Sequence, residues 1–282
     1  MTGQALCFAV ETATIHSIHS LTLPQLALLR TAGGTALILC FIPLFGWRLL
    51  RTSEIKLQLC RGASAASYLA VMMYALVHMP LTDATAISQT QGVYMVVLGY
   101  LLLHETASLR QWFAVALGLL GAVWLINPAF SAAIIATYLV VLALTSLNAL
   151  TAVLSRLVQG RDHADVVDKK RRLFLNGLTV TLYTNLFGLV CYSPALPGPW
   201  PEFDVRWLAV LLVGPIGMLL GNFAVQYSSM AVVAPFTYVR LVAIGFIAPL
   251  LFGEPLTARL IIGSLLIVVA CLLASSPPRR TR

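Results

Sequence analysis

The sequence predicts an all-α integral membrane protein of ten transmembrane helices in two inverted five-helix repeats, and three observations predict it. The first is composition: of 282 residues, 59% are hydrophobic and 10% charged, with a mean hydropathy of +0.89, whereas a soluble domain carries about a quarter charged residues. The second is segmentation, since most of the chain divides into apolar runs of roughly 17 to 23 residues, the length a helix needs to cross about 30 Å of hydrocarbon. The third is internal likeness. A shift of 149 residues lays LLLHETASLR (Leu101 to Arg110) without a gap on LLFGEPLTAR (Leu250 to Arg259), and likeness at a fixed offset marks structural repeats.

The runs fall at approximately 4–20, 26–46, 58–77, 84–103, 109–127, 132–154, 173–193, 207–226, 231–252 and 257–274. Span one carries Glu11, Thr12, Thr14, His16 and His19; without a basic n-region or an A-x-A cleavage site it reads as a retained helix. Span two holds Arg30 one turn from its boundary, where snorkelling and function explain it equally well, and Gly33-Gly34 for close packing. Span three contains Tyr74. Thr82-Asp83 offers an N-cap for span four, which carries Ser88, Gln91, Tyr94 and Met95. Span five, with small residues at Ala114, Gly118 and Gly121, ends at Asn127-Pro128.

The second half repeats the plan. Span six holds Asn148 and leads into the charged linker Gln159 to Arg172, after which span seven carries Asn185. A Pro-rich loop, Ser193 to Arg206, precedes span eight with Asn222 and Gln226. Span nine contains Tyr238 and Arg240, and span ten contains Gly263 and Ala270, which suit close helix packing as in span five. Pro43, Pro215, Pro235 and Pro249 lie within spans as kinks. Division at Asn127 gives one repeat over 1–127 and another over 128–282. Five crossings per half, an odd number, force the halves into opposite orientations.

Charge sets the topology. Fourteen of the eighteen Lys and Arg lie at one set of alternating boundaries, including Arg48 to Arg61, Arg110, Arg156 to Arg172 and Arg279 to Arg282, while the opposite boundaries hold Arg206 and Arg259. By the positive-inside rule both termini are cytoplasmic in a multi-pass protein of the inner (plasma) membrane. The net charge of +8 is thus accounted for by topology, and no nucleic-acid partner is expected. The five cysteines are scattered singly with no C-x-x-C pair, so neither disulfide framework nor metal site is implied. His104-Glu105 is followed by Ser108, which rules out an H-E-x-x-H zinc site. No nucleophile elbow or Walker loop is present, so no cofactor and no enzymatic activity is expected.

Ionisable groups at membrane depth are costly and mark pathways or pairs. Glu11, about 10 Å into span one at 1.5 Å per residue, is a candidate for proton coupling or for binding a substrate amine. Arg240 is the deepest cation, able to hold a carboxylate bidentately or to neutralise Glu11 across a cavity. Glu105 and Glu254 sit at span ends, where turn or helix-terminus roles are expected. Ser88, Gln91 and Met95 share a face of span four, with Tyr94 beside them. Together with Tyr74, Asn148, Asn185, Asn222, Gln226 and Tyr238 they describe an amphipathic substrate site.

Several stretches resemble the drug/metabolite transporter superfamily, in its EamA-type ten-helix branch. They are LPQLALLR ending at Arg30, YALVHMPLTDATAIS (Tyr74 to Ser88), GLLGAVWLI (Gly118 to Ile126), APFTYVRL (Ala234 to Leu241) and FGEPLT (Phe252 to Thr257). Two positions depart from the family pattern: Gly92 stands where span four usually has proline, and Glu11-Thr12 replace a Trp-Gly in span one. The resemblance implies a central cavity lined by spans one to four and six to nine, with spans five and ten peripheral and free to mediate a homo-oligomer. It further implies secondary transport in the exporting direction, and the polar and charged residues above make a small polar or amphipathic metabolite such as an amino acid the expected substrate. Alternating access within the bilayer would be driven by protons or by the substrate's own gradient. A hydrophobic drug or lipid-linked substrate is the alternative, and a sensor, scaffold or intramembrane enzyme is the alternative of another class.

Overall fold

The computed structural model describes residues 1–18, 20–78, 87–127, 135–163, 166, 168–252 and 258–275, with backbone alone at 16–17, 72–78 and 247–252. Ten helical crossings follow the ten apolar runs: Thr2–Ser17, Leu23–Leu39, Ile55–His78, Gln91–Leu103, Leu109–Ile126, Ile135–Arg161, Lys169–Tyr192, Trp207–Tyr227, a ninth in two pieces, and Ala258–Ser275. Among the described residues no strand occurs, and six helices of at least 18 residues are apolar enough to cross a bilayer by themselves. The fold is that of an all-helical membrane protein.

Helix ends are written in local chemistry. Span two begins with Pro24 in its first turn and a capping box in which the Thr22 N–H donates to Gln25 Oε1 at 2.9 Å. Ser108 and Gln111 cap span five reciprocally, at 2.9 and 3.3 Å. Spans four and five end on left-handed residues, His104 at φ 54° and Asn127 at φ 49°, the conformation that lets the last carbonyls find partners. Asp168 caps span seven by accepting from the Lys170 N–H at 2.9 Å.

Span nine departs from the continuous helix expected. It runs Met230–Phe236, turns at Thr237 and Tyr238, and resumes at Val239–Phe252. Pro235 has no N–H to give the Ala231 carbonyl, and just beyond it the Thr237 hydroxyl and N–H both turn back to the Ala234 carbonyl, at 2.7 and 3.1 Å. In span four, helical residues Ile87 and Ser88 give way to turns at Gln89 and Thr90 before the regular helix Gln91–Leu103.

The packing carries the internal symmetry. Span one packs on spans eight and nine, as span six packs on spans three and four; span two meets spans seven and eight, as span seven meets spans two and three; spans five and ten pack on each other. Exchanging each span for the one five places on maps each of these pairings onto another of them or, for spans two and seven and spans five and ten, onto itself. With an odd number of crossings per half, the pseudo-two-fold axis lies in the membrane plane. Glycines set the closest approaches. Gly121 and Gly263 face each other between spans five and ten, as small residues at helix interfaces allow. Gly214, Gly217 and Gly221 of span eight line a groove into which Glu11, Cys7 with Phe8, and Gln4 of span one press in turn.

Candidate functional site

At the interface of the two halves lies a cavity of about 460 Å³, within the range of pockets that hold small molecules. Spans one to four and six to nine all contribute to its lining, while spans five and ten do not. Among the described residues its ionic side chains are Glu11, Arg30, Arg61 and Arg240.

Glu11 pairs with Arg30, not with Arg240. The Arg30 Nε lies 2.8 Å from Glu11 Oε1, with the two side chains 30% and 7% exposed, and the contact is electrostatic without an aligned N–H. The Arg30 guanidinium also stands 5.4 Å above the Phe8 ring, a cation–π arrangement. Span two reaches this position because Gly33 rests against the Leu211 backbone and Gly34 against the Asn185 amide. The pairing of Glu11 with Arg240 left open by the sequence is therefore not the one adopted. Arg240 makes no ion pair among the described residues, and its buried Nε has no hydrogen-bond partner there.

The amides expected at the site divide. Gln91, Asn148, Asn185 and Asn222 line the cavity. Asn148 donates to Gln91 Oε1, bridging spans six and four; Asn185 donates to the Thr181 carbonyl and Asn222 to the Thr181 hydroxyl, both at 2.9 Å. Gln226 is not at the cavity: its amide packs beside Gly177 of span seven. Ser88 lies just outside, linked through the Tyr68 hydroxyl, which hydrogen-bonds to both Ser88 and Asn148 and sits in the field of Arg240. Tyr94 packs against the apolar cluster around Met95 and Val233.

Tyr238 is wholly buried, its ring against Gly118 of span five and its hydroxyl against Gly92 of span four. It wedges the broken span nine against its neighbours and does not face the cavity. Gly92, where a proline was expected from the family pattern, leaves the room that this hydroxyl occupies. The side chains of Tyr74 and His16, and residues His19, Asp83 and Glu254, lie outside the described residues. Among the described residues no cluster of His, Cys, Asp and Glu has metal-binding geometry.

Three lining residues were hidden in the sequence. Arg61 was counted with the cytoplasmic boundary charges, yet it is completely buried in span three and lines the cavity. Tyr68 lies one turn and a half before Tyr74 and takes the phenol position. Tyr192, at the end of span seven, ties that end of the cavity to span three by donating to the Ala66 carbonyl at 3.1 Å. At the other end Glu105 does more than terminate a span. Its carboxylate lies 2.8 Å from Arg156 Nη2 and accepts the Met230 N–H at 2.8 Å, while Arg156 donates to the Ser228 carbonyl. Spans four, six, eight and nine are thus tied together where Glu105 and Arg156 meet.

The model of the EamA-like transporter family matches residues 2–127 and 164–276, one stretch in each half. The pseudopaline exporter CntI of Pseudomonas aeruginosa (strain UCBPP-PA14) is 28% identical over 279 residues, covering 95% of this chain and 92% of its own. The S-adenosylmethionine uptake transporter of Rickettsia bellii is 23% identical over 252 residues, covering 88% and 82%. A solved crystal structure superposes with a TM-score of 0.78 at 18% identity, over 97% of this chain and 95% of the other, which speaks for the fold alone.

Proposed function

This chain belongs to the EamA-like transporter family, and on that premise we propose that it is a secondary transporter of a small metabolite built on amino and carboxylate groups, exporting it by alternating access. The observation that carries this reading is the chemistry of the cavity. Arg240 presents a guanidinium with no ionic partner among the described residues, beside a Tyr68, Asn148 and Gln91 hydrogen-bond cluster and across from the Glu11–Arg30 pair. A guanidinium binds a carboxylate through two parallel N–H donors. A substrate ammonium competes with Arg30 for the Glu11 carboxylate.

The same pair supports coupling to protons. Protonation of Glu11 removes the charge that holds Arg30, which gives the pair two arrangements that an ion gradient can bias. The export direction is supported by the CntI relative's name; the uptake transporters of Rickettsia make the opposite direction the outcome to test against. The reading also places the chain in the inner membrane with both termini cytoplasmic, on the side that carries Lys169 to Arg172, and divides its repeats near Asn127.

Counterflow tests the substrate class. Proteoliposomes loaded with a single unlabelled amino acid should accumulate the same labelled amino acid transiently for the members the cavity accepts. Arg240→Ala should abolish that exchange. Full exchange by Arg240→Ala, or none for any amino or carboxylate compound in wild type, would overturn the reading.

A further inference from the structure

We propose that Arg61 forms a second anion subsite of the cavity, so that the transported amino acid carries a second, distal acid group. This rests on the transporter reading above and narrows its substrate class.

Arg61 is completely buried and lines the cavity. Its guanidinium donates to neutral acceptors: Ser155 Oγ at 3.2 Å, Gln58 Oε1 at 3.3 Å and the Val180 carbonyl. Its Nε has no partner among the described residues. Other guanidiniums of this protein meet carboxylates, as Arg30 meets Glu11 and Arg156 meets Glu105. No carboxylate among the described residues reaches Arg61. A cation buried without a counter-charge is strongly destabilising, and at membrane depth it marks a functional site by default.

The charge count points the same way. Among the described residues the lining side chains comprise three guanidiniums and one carboxylate, and the Glu11–Arg30 pair removes one of each. Arg61 and Arg240 are left, a call for two negative charges on one substrate. Span three gives the scale of the site. Tyr68 lies seven residues beyond Arg61 on the same face of one helix, about 10 Å along its axis at 1.5 Å per residue, and both line the cavity that Arg240 lines. The Gln91–Asn148 amide pair lines the wall of the same cavity. Arg240 holds the α-carboxylate and Arg61 takes the distal acid several methylenes away.

Matched ligands test this on the purified full chain in detergent, by calorimetric titration. L-2-aminoadipate and L-norleucine differ only in a terminal carboxylate against a methyl, as do L-2-aminopimelate and L-2-aminoheptanoate. Wild type should bind the acid of at least one pair about 10-fold or more tighter. Arg61→Gln should reduce that preference to within about twofold. Arg61→Lys, the milder change, should keep charge but lose the fork, weakening the preference at least about threefold. Equal binding of both members by wild type, or full preference in either variant, overturns the subsite while L-norleucine binding keeps the transporter reading. Failure of wild type to bind any of the four overturns both.

Discussion

Glu11 of span one and Arg30 of span two meet at 2.8 Å inside the cavity, with the carboxylate side chain 7% exposed. The pair is held in place from behind by Gly214, whose missing side chain leaves the space that the Glu11 carboxylate fills. Position and charge of this one contact determine several outcomes.

Glu11→Gln keeps the shape and removes the charge, leaving Arg30 without its partner. Because the Arg30 side chain is 30% exposed, the expected loss is about 1–3 kcal/mol, below the cost of stranding a fully buried charge. Thermal unfolding in detergent measures it, and the double variant Glu11→Gln, Arg30→Gln should recover most of the loss.

Gly214→Ala places a methyl where the Glu11 carboxylate lies. Overpacking of this kind costs about 1–3 kcal/mol, and the displaced carboxylate should lower transport at least about tenfold. Gly160→Ala is the control: nothing stands within 4 Å of the new methyl, and replacing glycine inside a helix should stabilise by about 0.5–1 kcal/mol. Flux and melting temperature on the two variants separate a general glycine effect from this one contact.

Glu105 and Arg156 tie spans four and six to the starts and ends of spans nine and eight. Neutralising either should open this end of the molecule. A single cysteine at position 91, on a background free of the native cysteines, should react faster with a membrane-impermeant thiol reagent added from the side of Lys169 to Arg172. Glu105→Gln and Arg156→Gln should each raise that rate several-fold, and their double variant should raise it no further. Unchanged labelling would contradict the latch.

The Asp204 carboxyl, in the loop before span eight, is held below its ordinary range by hydrogen bonds from Arg206. A depressed carboxylate stabilises above its unfolded value and loses that effect as pH falls through the folded one, so any contribution disappears only under acid conditions below about pH 4. Both partners lie in an exposed pair, where such contacts contribute little. Asp204→Asn should therefore leave the transport profile between about pH 5 and 8 unchanged, and pH dependence there must arise elsewhere.

Hydropathy made the ten crossings legible, because an apolar run long enough to span the bilayer has few other uses. Faces were harder to read. Tyr238 stands two residues from Arg240, which on a helix points it to the far side, and the break after Pro235 does not bring it back. Arg61 and Arg156 sit where an apolar run meets a basic boundary, so composition assigned them to the surface; only the neighbours contributed by spans four, six, seven and eight reveal them as buried or bridging. The partner of Glu11 was equally hidden. Arg30 and Arg240 are both within reach of span one in sequence terms, and the glycines of spans two and eight decide between them through packing that no single helix displays.

Gradient-driven uptake tests the central claim most directly. Proteoliposomes holding wild type or Glu11→Gln are given the amino acid that counterflow identifies, with and without an imposed proton gradient. Accumulation above equilibrium is expected in wild type only, and any exchange left in the variant is expected to be independent of the gradient. Equal accumulation in both, or a wild type indifferent to the gradient, would contradict proton coupling through Glu11.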